Sequence, residues 1–288
     1  MRLLLLCCLF AAALPATEIA GTDALADTVG RELSRRAEAA GKKVKVRLDG
    51  SLPARQGVVD GQVDLGILLL RESDIVDKAA DGKAIRRFPL GAAAAYVYVH
   101  ASNPLREVNL PTLAGIFGSG QRDDYKFWSD VPGASMSEPV LTFTSVPDRH
   151  IAQALFQGIA LGGRAFKPNV RQRVDAALAR ESVTGRTNAI LVSAAPLPPK
   201  VGKLLQVSDG REGRSATAYS PDETNIFNGD YPLRLPLVLC VREDRVAEQA
   251  ETIRWLLSEE AAGKIREAGM IPAPKLIRDR LAQRLDSK

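Results

Sequence analysis

The sequence predicts an α/β protein, and three features carry that expectation. Near the amino terminus, strand-like and helix-like segments alternate with glycine turns between them: "TEIAGTDALADTVGRELSRRAEAAGKKVKVRLDGSLPARQGVVDGQVDLGILLL". That order suits strands linked by helical crossovers. Residues 63–70 form a nearly unbroken apolar run, as expected of a parallel strand buried on both faces. Residues 233–241, "LRLPLVLCV", return to strand before a run of helical segments.

The first sixteen residues, "MRLLLLCCLFAAALPA", stand apart. Arg2 supplies a positive start, residues 3–14 an apolar stretch, and Ala-Leu-Pro-Ala the small residues of a cleavage point at Ala16. The run is too short to span a bilayer. Residues 1–16 are therefore expected to be a signal peptide. The mature chain is expected in the periplasm or secreted, with no membrane span after cleavage. Cys7 and Cys8 fall within the signal, which leaves Cys240 as the mature chain's one thiol. One thiol makes no internal disulfide, so stability must come from the core.

Leu25, Val29, Leu33 and Ala37 recur at helical spacing, which predicts an amphipathic helix over residues 22–40. Thr22 or Asp23 caps it and Gly41 ends it. Residues 44–48 alternate as a strand, Asp49-Gly50-Ser51 turns, and Pro53 suits the first turn of a short helix through Val59. Further strands are expected at 92–100, 139–144 and 188–193. Helices are expected at 110–117, 148–159 and 169–181. Three prolines, Pro196, Pro198 and Pro199, open an irregular stretch to Tyr231. Helices at 246–257, 259–268 and 274–285 close the chain.

Composition narrows the function classes. The 288 residues are 45% hydrophobic and 25% charged, with a formal charge of +5, enough apolar content for a real core. A mild positive field favours small anions. Aromatics are 5% and 34 acidic residues dilute the bases, which argues against nucleic acid. Two distant histidines and one mature cysteine give no metal-ligand spacing. Ser145, Asp148 and His150 lie too close together for a hydrolase triad, and no nucleophile elbow is present. "GSGQ" at 118–121 lacks the Lys-Ser/Thr of a phosphate loop. The expectation is a protein that is not an enzyme and uses no cofactor or metal. His100 reads as structural, Trp128 as packing, and the basic run "GRAFKPNVRQRVDAALAR" as a solvated helix face.

Taken in order, these segments resemble the substrate-binding proteins of phosphate-type ABC transporters. "IAGTDAL" is similar to the family's opening glycine turn and first helix, and "LDGSLPARQGVVDGQVDLG" to its second turn, helix and strand. "RRFPLGAAAAYVYVHASNP" resembles the run into the first crossing strand, "LPTLAGIFGSG…FWSD" a central motif, and "YPLRLPLVLCV" the return strand. The resemblance implies the type II periplasmic-binding-protein fold: two α/β lobes, two crossing strands and an interlobe cleft. One lobe would hold residues 17–98 plus 236–288, the other 99–235. A ligand would sit in the cleft, its oxyanion held by helix amino termini, with lobe closure by a hinge.

By register with the family's turns, the candidate ligand residues are Thr22, Asp23, Gly50, Ser51, Ser145, Arg149 and His150. Each of the short polar ones has a capping role open to it, and Asp23 would repel an anion. The family's donors are thinned here. Leu52 and Pro53 follow Ser51, the acid expected after "VDLG" is replaced by Ile67-Leu68-Leu69-Leu70, and Val146 stands where an arginine is expected. The resemblance implies a small-molecule or oxyanion ligand and, as partner, an ABC permease or another envelope protein. A second reading is a binding-protein fold without ligand, acting as an adaptor or sensory interaction module.

Overall fold

The computed structural model describes residues 16–145, 151–198, 200–210 and 217–285. All but the last residue of the expected signal peptide lie outside the described residues, as do Arg149 and His150.

The chain begins with β1 (Thr17–Gly21). The helix expected over 22–40 arrives in three pieces: a 3₁₀ turn at Asp23–Leu25, a π turn at Ala26–Gly30, and α1 (Arg31–Ala39). The apolar stripe is as read, with Leu25, Val29, Leu33 and Ala37 all buried. What the spacing did not reveal is the widened turn, which seats Gly30 so close to Leu48 that a Cβ there would lie 2.9 Å from Leu48 Cδ1. Then follow β2 (Val44–Arg47), α2 (Ser51–Val59), β3 (Leu65–Leu69) and β4 (Ile85–Ala94). Every residue of β3 is buried, because strands flank it on both sides and α2 packs against it.

The single strand expected over 92–100 is two strands. β4 ends at Ala94, and β5 (Tyr96–Val99) joins another sheet. Next come β6 (Glu107–Asn109), α3 (Leu110–Phe117), β7 (Leu141–Ser145) and α4 (Ala152–Ile159). The long polar helix expected over 169–181 is corrected to β8 (Arg171–Arg173) and α5 (Ala176–Thr184). β8 runs parallel to β7, Phe143 opposite Arg171 and Ser145 opposite Arg173. The helix starts only where Asp175 Oδ1 accepts from the N–H groups of Ala177 and Leu178 at 2.6 and 3.1 Å. The basic run is thus partly an edge strand rather than one helix face.

β9 (Ala189–Ser193) follows. The stretch expected to be irregular contains β10 (Lys203–Leu204), β11 (Gln206–Ser208) and α6 (Glu223–Asn228). The chain closes with β12 (Arg234–Arg242), α7 (Ala250–Leu256), α8 (Glu259–Glu267), β13 (Ile271–Pro272) and α9 (Lys275–Gln283). Arg278, 2% exposed, locks α9 in place. It donates to the carbonyls of Ala273 and Leu257 at 2.9 and 3.0 Å and pairs with Glu259 at 2.5 Å.

The strands form a six-stranded sheet in the order β13-β4-β12-β3-β1-β2, a five-stranded sheet in the order β10-β5-β9-β7-β8, and a short β11-β6 pair. The two large sheets share one plan. In the first, β1 lies between β2 and β3, all parallel, and antiparallel β12 lies beyond β3. In the second, β7 lies between β8 and β9, all parallel, and antiparallel β5 lies beyond β9. Each sheet therefore takes its antiparallel strand from a segment arriving from the other. The crossing points are Ala95 on the way out and Leu233 on the way back, joined by Ala95 N–H donating to Leu233 O at 3.0 Å. Tyr96–Tyr98 thus pair within the second sheet, and Arg234 and Leu235 within the first. Trp128 is fully buried, its indole N–H donating to Asn188 O at 2.9 Å. His100 bonds locally, to Ser102 Oγ at 2.7 Å.

Candidate functional site

In a sheet of order β2-β1-β3, the connections leaving β1 and returning to β3 pass on opposite sides, and a crevice opens outside the carboxyl ends of the strands. Three turns meet there. Thr22 N–H donates to Ile67 O at 2.8 Å, Gly50 N–H to Gly21 O at 2.8 Å, and Leu69 N–H to Ser51 Oγ at 3.0 Å. Glycine is required at two of these positions. A Cβ on Gly21 would lie 2.4 Å from Ile67 O, and Gly50 adopts φ 151°.

Thr22, Gly50 and Ser51 are therefore brought together, as expected from the turn signals. Thr22 is buried and its Oγ1 accepts from Ala24 N–H at 3.4 Å, which is a capping role. Asp23 follows on the exposed side. The Ser51 hydroxyl, having accepted from Leu69, keeps its own proton to donate. Pro53 has no N–H and the Ala54 N–H bonds to Gly50 O at 3.4 Å, so the first turn of α2 offers the N–H groups of Ser51 and Leu52.

The second sheet repeats the arrangement. Ser145 ends β7 between β8 and β9, and is 8% exposed. Its neighbours Arg149 and His150 lie outside the described residues.

Between the two carboxyl edges lies a cleft of about 250 Å³. Leu69, Leu70 and Arg71 line it from the first sheet, and Ile151, Leu155 and Ile159 from the α4 side. Arg71 crosses it: its Nη2 donates to Gly158 O in α4 at 2.5 Å. At its base the crossing segments are tied by Tyr231 Oη donating to Ala95 O at 2.7 Å. Burial raises the Tyr231 phenol well above its ordinary pKa, so it stays a donor. Arg234, beside the cleft residue Leu235, is shifted down by desolvation, with Glu72 and Asp230 opposing. The cleft is thus lined mainly by apolar side chains, with Arg71 and Asp74 as its charged groups, and Ser51 adjoins it through the Leu69 N–H that it accepts from.

Sequence reasoning missed Arg71, Leu70, the α4 wall and the crossing pair Tyr231–Ala95. Position was the available signal for Arg71, which is the first polar residue after the buried run and so stands at a strand's carboxyl edge. Among the described residues, no group of three or more His, Cys, Asp or Glu is placed to hold a metal, and no helix is long and apolar enough to cross a membrane.

No family model matches the chain, and no curated protein matches it. Solved structures do. A possible phosphate binding protein from Planctomyces limnophilus DSM 3776 superposes with a TM-score of 0.72 at 18% identity, over 94% of this chain and 98% of that one. The PstS of Borrelia burgdorferi gives 0.68 at 13% identity, over 91% and 100%. An ABC-type phosphate transport receptor from Vibrio cholerae gives 0.60 at 21% identity, over 88% and 99%. This chain has the type II periplasmic-binding fold. At these identities the likeness concerns the fold alone.

Proposed function

We propose that the chain is an exported solute-binding protein of the ABC-transport kind, not an enzyme, that takes a small ligand into the cleft between its two sheets. One observation carries the reading. Leu69, Leu70 and Arg71, at the carboxyl end of a strand in one sheet, face α4, which follows β7 of the other, across a single cleft, and Ser51 adjoins it through its bond to Leu69. Two of the three solved structures are named for phosphate, one as a possible binding protein and one as a transport receptor. Each sheet with its helices forms one lobe, the second running from about residue 96 to 233. The lobes close about Ala95 and Leu233. An ABC permease or another envelope protein receives the ligand. The place of action is the periplasm or the cell exterior, after removal of residues 1–16.

The lining argues against bare orthophosphate as the ligand. Bare orthophosphate needs a donor for nearly every oxygen, because an unpaired buried charge costs several kcal/mol. Here Leu69 and Leu70 line one wall, and Pro53 removes an N–H from the helix end. A small anion that carries apolar surface suits these walls better.

The test is thermal unfolding of residues 17–288 with phosphate, sulfate, molybdate and a panel of small organic acids. A ligand at 100 times its Kd adds about 2.7 kcal/mol, a shift of roughly 5–10 °C in a chain of this size. Ser51→Ala should reduce the shift of whichever compound binds. If no compound moves the midpoint, the reading is wrong.

A further inference from the structure

A second cavity, of about 810 Å³, opens at the other end of the second sheet. It is framed by Leu141 and Thr142 at the start of β7 and by Arg171 at the start of β8. Ser145 and Arg173 stand at the opposite, carboxyl ends of the same two parallel strands. No residue lines both spaces. Its volume is in the range of small-molecule sites, roughly 300–1,000 Å³.

Its chemistry is consistent from wall to wall. Ile116, Val140 and Leu141 supply an apolar floor. Phe127 stands at the mouth, 44% exposed. Its backbone is pinned there, because Asp130 Oδ2 accepts from the Phe127 N–H at 3.0 Å and Phe127 bridges to Pro139. An aromatic ring held in solvent by fixed backbone is an anchor prepared for a ligand.

The charges are unevenly matched. Lys167 is fully engaged: it pairs with Asp124 at 2.6 Å and donates to Gly115 O and Tyr125 O at 2.5 and 3.3 Å. Among the described residues, Arg171 has no carboxylate partner. Its guanidinium carbon lies 5.8 Å from the centroid of the Phe143 ring, which Arg173 and Arg186 also approach, at 4.9 and 5.8 Å. Neither of those arginines forms an ion pair with a carboxylate among the described residues. Three guanidinium groups gathered on one ring repel one another, and an anion beside Arg171 relieves that repulsion. Independently, Thr142 lines the cavity, is 3% exposed, and its hydroxyl has no hydrogen-bond partner.

We infer that this cavity binds a small amphipathic organic anion. The apolar aryl or acyl body lies against Ile116, Leu141 and Phe127, and the single acidic head meets Arg171. The site is separate from the cleft and does not depend on what the cleft holds.

The probe is 8-anilinonaphthalene-1-sulfonate, an aromatic anion whose emission rises in apolar surroundings, titrated into residues 17–288. Saturable binding of one dye per chain is expected. Arg171→Gln should weaken it at least fivefold. Asn169→Trp, which fills the mouth from an exposed position, should weaken it at least tenfold. Octanoate should displace the dye, and millimolar inorganic phosphate should leave its affinity within twofold. Circular dichroism checks that each variant is folded. The assignment is overturned by an absence of saturable binding, by two folded variants that bind as the native chain does, or by displacement with phosphate, which would mean that a bare inorganic anion suffices.

Discussion

The Tyr231 hydroxyl donates to the Ala95 carbonyl at 2.7 Å, at the point where the chain passes from one sheet to the other in both directions. Both groups are buried, so the bond has no water to replace it.

Replacing Tyr231 with phenylalanine keeps the ring and leaves the Ala95 carbonyl without its donor. The expected cost is about 1–2 kcal/mol of unfolding free energy, measured by urea denaturation. A loss below about 0.3 kcal/mol would mean that the crossing relaxes around the missing hydroxyl.

Arg71 and Gly158 are 87 residues apart in the chain, and the bond between them spans the cleft. Arg71→Ala removes the only side chain shown crossing that space among the described residues. Small-angle scattering of the ligand-free protein should then show a larger radius of gyration, as the sheets move apart about the crossing segments. Superimposable scattering curves would show that the spacing is set elsewhere.

Asp244 accepts from Lys83 at 2.6 Å and from Arg242 at 3.3 Å, and these two cations pull its pKa from 3.8 to about 2. Because the folded value lies below the unfolded one, its contribution is complete above about pH 4. It is lost as the pH falls toward 2. The gap in urea midpoint between native chain and Asp244→Asn should therefore narrow over that window. A constant gap from pH 5 to 2 would remove Asp244 from the acid response.

Cys240 sits two residues before the end of β12, 1% exposed, and burial pushes its thiol up to about 12. In a chain beginning at Thr17 it is the one cysteine. Ellman's reagent at pH 8 should leave the native protein unlabelled for hours and titrate one thiol at once in guanidinium chloride. Rapid labelling of the native state would mean that β12 opens readily.

The strands legible in the sequence were those whose pattern reflects their own burial. β3 reads as apolar throughout because both its faces are covered, and β9 likewise. β8 did not read as a strand, because an edge strand of arginine and glutamine owes its state to the neighbour at Phe143. β10 and β11 have two and three residues, too few for any period to register. The candidate site divides the same way. The turns that hold Thr22, Gly50 and Ser51 could be located because turn chemistry is local. The Arg71 bridge and the Tyr231 tie were not, because each is completed by a backbone carbonyl far along the chain. A carbonyl leaves no mark on sequence.

The placement of β12 has a consequence for how the molecule is made. It lies between β3 and β4, so residues 234–242 fill the centre of a sheet whose other strands, apart from β13, are finished by residue 94. Until that segment emerges from the ribosome, β3 and β4 each present an unpaired edge, which is a site for misassociation. Closing so long a loop late also makes folding slow. The five-stranded sheet, whose strands all lie between Tyr96 and Leu204, is under no such delay, so the two sheets are completed in the reverse of the order in which their first strands are made.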